Sequence, residues 1–284
     1  MPSKASDIRP DKNVSMLFKS PPGYGKTIAA CSLAVFGDVW LAYFDKKTPV
    51  EVFNFYKQYR PELLDRIHYD AYTAANANKY LNDLDNICNR EAGRYIGTIT
   101  DSVTSLTTAS INWSMGFRGT KGSIENTLAG SEKMIPGFDD YKVETNYAAQ
   151  ALDMTTSYSG FNIWTAHPLT SMDIKGSGGK IDNISTKQTL VSYGNKVGQL
   201  VPGRFQEIYH FGRQMDKRLV FTDAVGEDYA KTSYFGMPKS LDITDKLFFE
   251  VWKAAVDNCL KMQEVRNEEV KTDTIAQVNK WMKP

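Results

Sequence analysis

The stretch "SPPGYGKT", residues 20–27, decides how the rest of the chain is read. It fits the phosphate-cradling pattern G-x-x-x-x-G-K-[ST] except at its first position, where Ser20 replaces glycine. The pattern carries meaning only between a buried strand and a helix. Both flanks are predicted here. "VSMLFKS" (14–20) reads as a short buried strand, and "TIAACSLAVFG" (27–37) as an apolar helix closed by Gly37.

In that setting Gly23 and Gly25 free the backbone to turn its N–H groups inward. Lys26 reaches the β and γ phosphates, and the Thr27 hydroxyl holds Mg²⁺. The opening helix adds its positive end at Ile28. Pro21 and Pro22 restrict the loop, which suits a preformed cradle, and Tyr24 completes it. Ser20 costs little if its φ is negative. The competing reading is a chance glycine-lysine turn before a helix.

A nucleotide site of this kind needs a carboxylate for the Mg²⁺ shell, usually at the end of a neighbouring buried strand. "RYIGTITDS" (94–102) supplies Asp101 and Ser102. A helix cap is the alternative role, since both residue types favour it. "FNIWTAH" (161–167) is a further buried strand ending in His167, at the end that faces a ligand crevice in parallel sheets. A surface histidine before a loop is the bland alternative. His68 and His210 have no such setting and are assigned structural roles.

The remaining elements alternate. Strands are expected at 39–45, 66–72 and 95–100, and helices at 49–59, 74–91, 103–116 and 139–158. Two glycine-rich polar stretches, 116–137 and 168–188, read as long loops. A strand meander follows over 204–213, 217–224 and 227–235, then a helical tail from Thr244. The class is α/β with a mostly parallel sheet. The expected domains are a loose arm (1–12), a nucleotide-binding domain (13–243) and the tail (244–284).

The 284-residue chain is 24% charged and 42% hydrophobic, an ordinary globular composition. Its net charge of +1 provides no global field for nucleic acid, so any such contact is local. Three scattered cysteines offer neither a disulfide framework nor zinc spacing and fit a reducing cytoplasm. No apolar run long enough for a membrane span is present.

Taken in order, "SPPGYGKT", "TITDSVTSL", "FNIWTAH" and "DYAKTSYF" resemble the Walker A loop, Walker B strand, sensor strand and late Ala-Lys-Thr-Arg segment of RecA-like ATPases. The likeness is greatest to short phage members acting in single-strand annealing and recombination. It covers roughly residues 13–240. It implies a RecA-like sheet flanked by helices and an ATP–Mg²⁺ site between subunits of a ring or filament. It also implies single-stranded DNA held by two loops, here 116–137 and 168–188. Arg118, Lys121, Lys133, Lys175, Lys180 and Lys187 would then contact phosphates, unless these are plain solvated loops.

Two positions depart from the family pattern. The catalytic glutamate expected two residues beyond Asp45 is Lys47, and the arginine after Ala-Lys-Thr is Ser233. Asp45 or Glu51 is left to orient the attacking water, and Lys231 to act as a cation supplied across an interface, unless it is an ordinary edge-strand lysine. Three functions are compatible with these features. The first is an ATPase acting on single-stranded DNA, the second a nucleotide-binding scaffold with little turnover, and the third a small-molecule or nucleotide kinase.

Overall fold

The computed structural model describes residues 13–45, 48–118, 124–126, 132–134, 136, 138–156, 158–177, 180–224 and 229–281. The arm 1–12 and both Lys47 and Lys121 lie outside the described residues. Strands β1 (Val14–Lys19), β2 (Val39–Tyr43), β3 (Ile67–Ala71), β4 (Gly97–Asp101) and β7 (Phe161–Ala166) belong to one sheet. So do β10 (Glu207–Gln214), β11 (Lys217–Phe221) and β12 (Ser240–Asp242). Their order across this eight-stranded sheet is β12-β11-β10-β1-β7-β4-β2-β3.

The run from β10 to β3 is parallel, while β11 and β12 add on antiparallel. The α/β class and the mostly parallel sheet with late antiparallel strands are therefore what the structure shows. Parallel strands buried on both faces need apolar residues at successive positions. Met16, Leu17 and Phe18 of β1 and all five residues of β2 meet that need, each at most 8% exposed.

Alternation along each strand sorts these side chains into two cores. Leu17, Trp40, Ala42, Trp164 and Ala166 face α3 (Ala77–Asp85), α4 (Val103–Arg118), α5 (Phe138–Thr156) and α6 (Asn195–Leu200). Met16, Phe18, Leu41 and Ile163 face α1 (Lys26–Cys31), α2 (Val50–Tyr59) and the start of α7 (Phe248–Trp281). Phe248, Phe249 and Trp252 of α7 pack against this second face.

Several expectations are corrected. The stretch 168–188 is a hairpin, with β8 (Pro168–Ser177) antiparallel to β9 (Lys180–Leu190). Its register pairs Ile174 with Ile184 and Ser177 with Lys180. Within 116–137, β5 (Ile124–Asn126) pairs with β6 (Glu132–Met134). Of the strand expected at 227–235, the described residues 229–235 form none, and only Lys231 makes a bridge, to Ile208. The third meander strand is β12. The helix after the glycine-rich loop tightens into a 3₁₀ turn at Ser32–Val35, and α6 was not foreseen.

Glu144 of α5 fixes where the chain leaves the hairpin. It is fully buried, and its Oε1 accepts from the Gly194 N–H at 2.9 Å. Its Oε2 has no hydrogen-bond partner among the described residues. Burial raises its pKa above the usual carboxylate range, against the lowering effect of the Gly194 amide. A raised folded pKa gives stability that is present below the unfolded value and lost as pH rises through the folded one. Glu144→Gln is therefore expected to gain stability relative to the parent as pH rises above that range. Parallel melting profiles against pH for the two proteins would contradict this.

Candidate nucleotide site

β7 lies between β1 and β4, so three strand ends meet at one edge of the sheet. The loop 20–25 leaves β1 there, with Ser20 N–H donating to Ala166 O at 3.3 Å. Gly23 (φ 83°) and Gly25 (φ 81°) take the left-handed conformation that only glycine adopts without strain. Ser20 does not, since Met215 is the one described non-glycine residue with positive φ. Serine at the first position therefore costs no backbone strain. The loop runs directly into α1, whose N-cap is Gly25.

Lys26, 6% exposed, folds back over the loop. Its Nζ donates to Ser20 O at 2.8 Å, Ser20 Oγ at 3.1 Å and Pro21 O at 3.1 Å. Burial pulls its pKa down to about 8, against the charges of Asp101 and Asp45. His167 Nδ1 lies 3.1 Å from Ser20 O and 3.4 Å from Lys26 Nζ. Burial, then the Lys26 charge, lowers the His167 pKa and favours the neutral ring. With its proton on Nδ1, that ring donates to Ser20 O.

Asp101 ends β4 and is buried, and its peptide bond to Ser102 is cis. Its Oδ2 accepts from Thr27 Oγ1 at 2.8 Å, and its Oδ1 accepts from Thr165 Oγ1 of β7. Burial raises its pKa, opposed by those two hydroxyls. The pair of oxygen donors, Thr27 and Asp101, fits a hard divalent cation such as Mg²⁺. No cluster of three or more His, Cys, Asp or Glu exists among the described residues. The pair suits an ion that completes its shell with phosphate and water rather than a closed protein cage.

The structure thus brings together Ser20, Lys26, Thr27, Asp101 and His167, with Asp45 beside them at the end of β2. Lys231 does not join them. It is exposed, and no hydrogen bond or ion pair among the described residues links it to this group. Ser233 is exposed, yet both its N–H, at 2.8 Å, and its hydroxyl donate to Oε1 of the buried Glu207. Arg118 ends α4, Lys133 lies on β6, and Lys175, Lys180 and Lys187 lie on the β8–β9 hairpin. The side chains of these five lie outside the description.

Three site residues escaped the sequence reading. Thr165 and Ser105 are ordinary polar residues whose partners are remote in sequence. Lys19 left a signal, a lysine inside an apolar strand. It is fully buried, donates to Gln188 Oε1 at 2.5 Å, and sits 4.0 Å from the Tyr229 ring centre. It ties β1 to the end of the hairpin and to the segment that carries Lys231.

No helix among the described residues is long and apolar enough to cross a membrane. No protein-family model matches the sequence, and no curated protein matches it. Solved structures are similar at low identity. A KaiC-like protein of the hyperthermophilic archaeon Pyrococcus horikoshii is 12% identical at TM-score 0.43, covering 82% of this chain and 85% of that one. A type III secretion ATPase of pathogenic bacteria is 13% identical at TM-score 0.42, covering 72% and 52%. The ATPase EscN of enteropathogenic E. coli, solved with its central stalk EscO, is 14% identical at TM-score 0.44, covering 92% of this chain and 54% of that one.

Proposed function

We propose that the chain binds ATP with Mg²⁺ at the loop 20–27 and hydrolyses it as a RecA-like ATPase. One observation carries this reading: Thr27, next to the loop lysine, meets the buried Asp101 at 2.8 Å, although the two are far apart in sequence. A chance glycine-lysine turn has no reason to face a strand-end carboxylate. Mg²⁺ supplies charge neutralisation on the β and γ oxygens when bound. Thr27 and Asp101 would hold it. Lys26 leaves the Ser20 and Pro21 carbonyls to meet phosphate oxygens, exchanging neutral acceptors for charged ones. His167, which lies 3.4 Å from Lys26 Nζ, would answer the γ-phosphate and pass its presence to the hairpin that begins at Pro168.

Single-stranded DNA is the proposed partner. Lys175, Lys180 and Lys187 on one hairpin are the support, together with the resemblance to phage annealing and recombination proteins. A homo-oligomeric ring or filament in the cytoplasm belongs to the same reading, with the exposed Lys231 serving a neighbouring site. A second reading is favoured by one finding. Ser233, at the place of the family arginine, is bonded to the buried Glu207, which suits a nucleotide-binding scaffold with little turnover. ATP hydrolysis measured with and without single-stranded DNA separates the two. Stimulation by DNA is expected. Nucleotide binding with no turnover under either condition would support the scaffold, and transfer of phosphate to a small molecule would overturn both.

A further inference from the structure

An ATP site that hydrolyses needs a side chain to orient water against the γ-phosphate, and in the family that the sequence resembles this is a carboxylate. Asp101 is committed, with both oxygens accepting from threonines. Two candidates remain, Asp45 and Glu51.

Their placement differs. In the β2–β4 ladder Tyr43 stands opposite Asp101, and Phe44 N–H donates to Asp101 O at 2.7 Å. Asp45 therefore leaves the sheet one residue past the last ladder bond, at the edge where Lys26 and Asp101 sit. Glu51 lies in the first turn of α2. After burial, the Asp45 charge is among the influences felt at Lys26, Asp101 and His167, whereas Glu51 is felt at none of the three.

Asp45 is also held. Ser102 Oγ donates to Ser105 Oγ at 3.3 Å, and Ser105 Oγ donates to Asp45 Oδ1. The Ser105 N–H, in the first turn of α4, is 3.4 Å from Ser102 Oγ. This pair of hydroxyls fixes one carboxylate oxygen to a rigid helix start. The other, Oδ2, has no hydrogen-bond partner among the described residues and is on an exposed side chain, open to water.

We propose that Asp45 is the carboxylate that orients and deprotonates the attacking water, and that Ser105 is its positioning residue. The inference rests on the ATP-site reading above. The water oxygen forms a bond to the γ-phosphorus, and its proton passes to Asp45 Oδ2 and then to solvent. The bond from the γ-phosphorus to the bridging oxygen breaks, and its electron pair stays on the departing ADP. Asp45 then does the work of the acid that the resembled family carries at the position of Lys47.

The experiment compares the parent with Asp45→Asn, Ser105→Ala, Ser105→Thr and Glu51→Gln. Three quantities are read: affinity for a non-hydrolysable ATP analogue, affinity for ADP with aluminium fluoride as a transition-state mimic, and single-turnover hydrolysis. Asp45→Asn is expected to lose about 100-fold in hydrolysis and to bind the mimic about tenfold more weakly, with analogue affinity kept. Ser105→Ala should lose about tenfold in kcat at unchanged KM, and Ser105→Thr should restore most of it. Parental hydrolysis by Asp45→Asn, or an equal loss in Glu51→Gln, overturns the assignment. A parent that binds the analogue but neither turns over nor takes up the mimic also overturns it, while the ATP-site reading stands. A parent that binds no nucleotide sinks that reading itself.

Discussion

Lys26→Ala is expected to bind ATP roughly 100-fold more weakly than the parent while its folded state is no less stable. Loss of two charge-assisted hydrogen bonds to phosphate, at about 1.5 kcal/mol each, gives that magnitude. The stability half of the prediction comes from the free site. There Lys26 is buried, its ammonium is bonded only to neutral acceptors, and burial holds its pKa at about 8. A lysine depressed in the fold opposes folding at neutral pH, because the unfolded chain binds its proton more tightly. Alanine removes that opposition. Binding and stability should therefore move in opposite directions, measured by ATP titration and by thermal unfolding without nucleotide. A variant that loses both together would mark Lys26 as a structural residue.

Phe18→Ala is expected to do the reverse, costing about 3–5 kcal/mol of stability. Its ring is fully buried and packs against Phe211 and Phe248, each with ring centres 5.0 Å away, and against Tyr209 at 6.1 Å and Phe249 at 6.3 Å. These partners come from β10 and from α7, so one ring joins the first strand to the last helix. The melting temperature should fall by roughly 10 °C. Phe18→Leu should recover part of the loss by refilling the cavity. If Phe18→Ala melted within a degree or two of the parent, α7 would not be part of the core that supports the loop.

Much of this architecture was legible because its signals are local. The buried strands β1, β2 and β7 are short, largely apolar runs, β4 is a threonine-rich strand around Ile99, and each leads to a polar residue that the sheet brings to one edge. Ser20, Lys26 and Thr27 follow from the glycine-lysine pattern between strand and helix, and Asp101 and His167 from their places at strand ends. The hairpin strands at 168–190 look like a loop in the sequence because glycine and polar content mask their alternation. Pairing across the turn, such as Ile174 with Ile184, is visible only when both strands are considered together. Residues 227–235 have strand-like composition, yet β11 already occupies the edge of β10 beyond His210, leaving room for one bridge at Ile208. Lys19, Thr165 and Ser105 were missed for a common reason. Their roles depend on Gln188, Asp101 and Asp45, which are remote in sequence, and no spacing rule connects them.

In the proposed ATP–Mg²⁺ site, residues 20–27 act together with Asp101. Equilibrium titration of the chain with ATP, with and without Mg²⁺, tests this. One ATP per chain is expected, with affinity that rises when Mg²⁺ is added in the parent but not in Asp101→Asn, where the anionic partner of Thr27 is gone. Absence of ATP binding, or binding that is indifferent to both Mg²⁺ and Asp101, would contradict it.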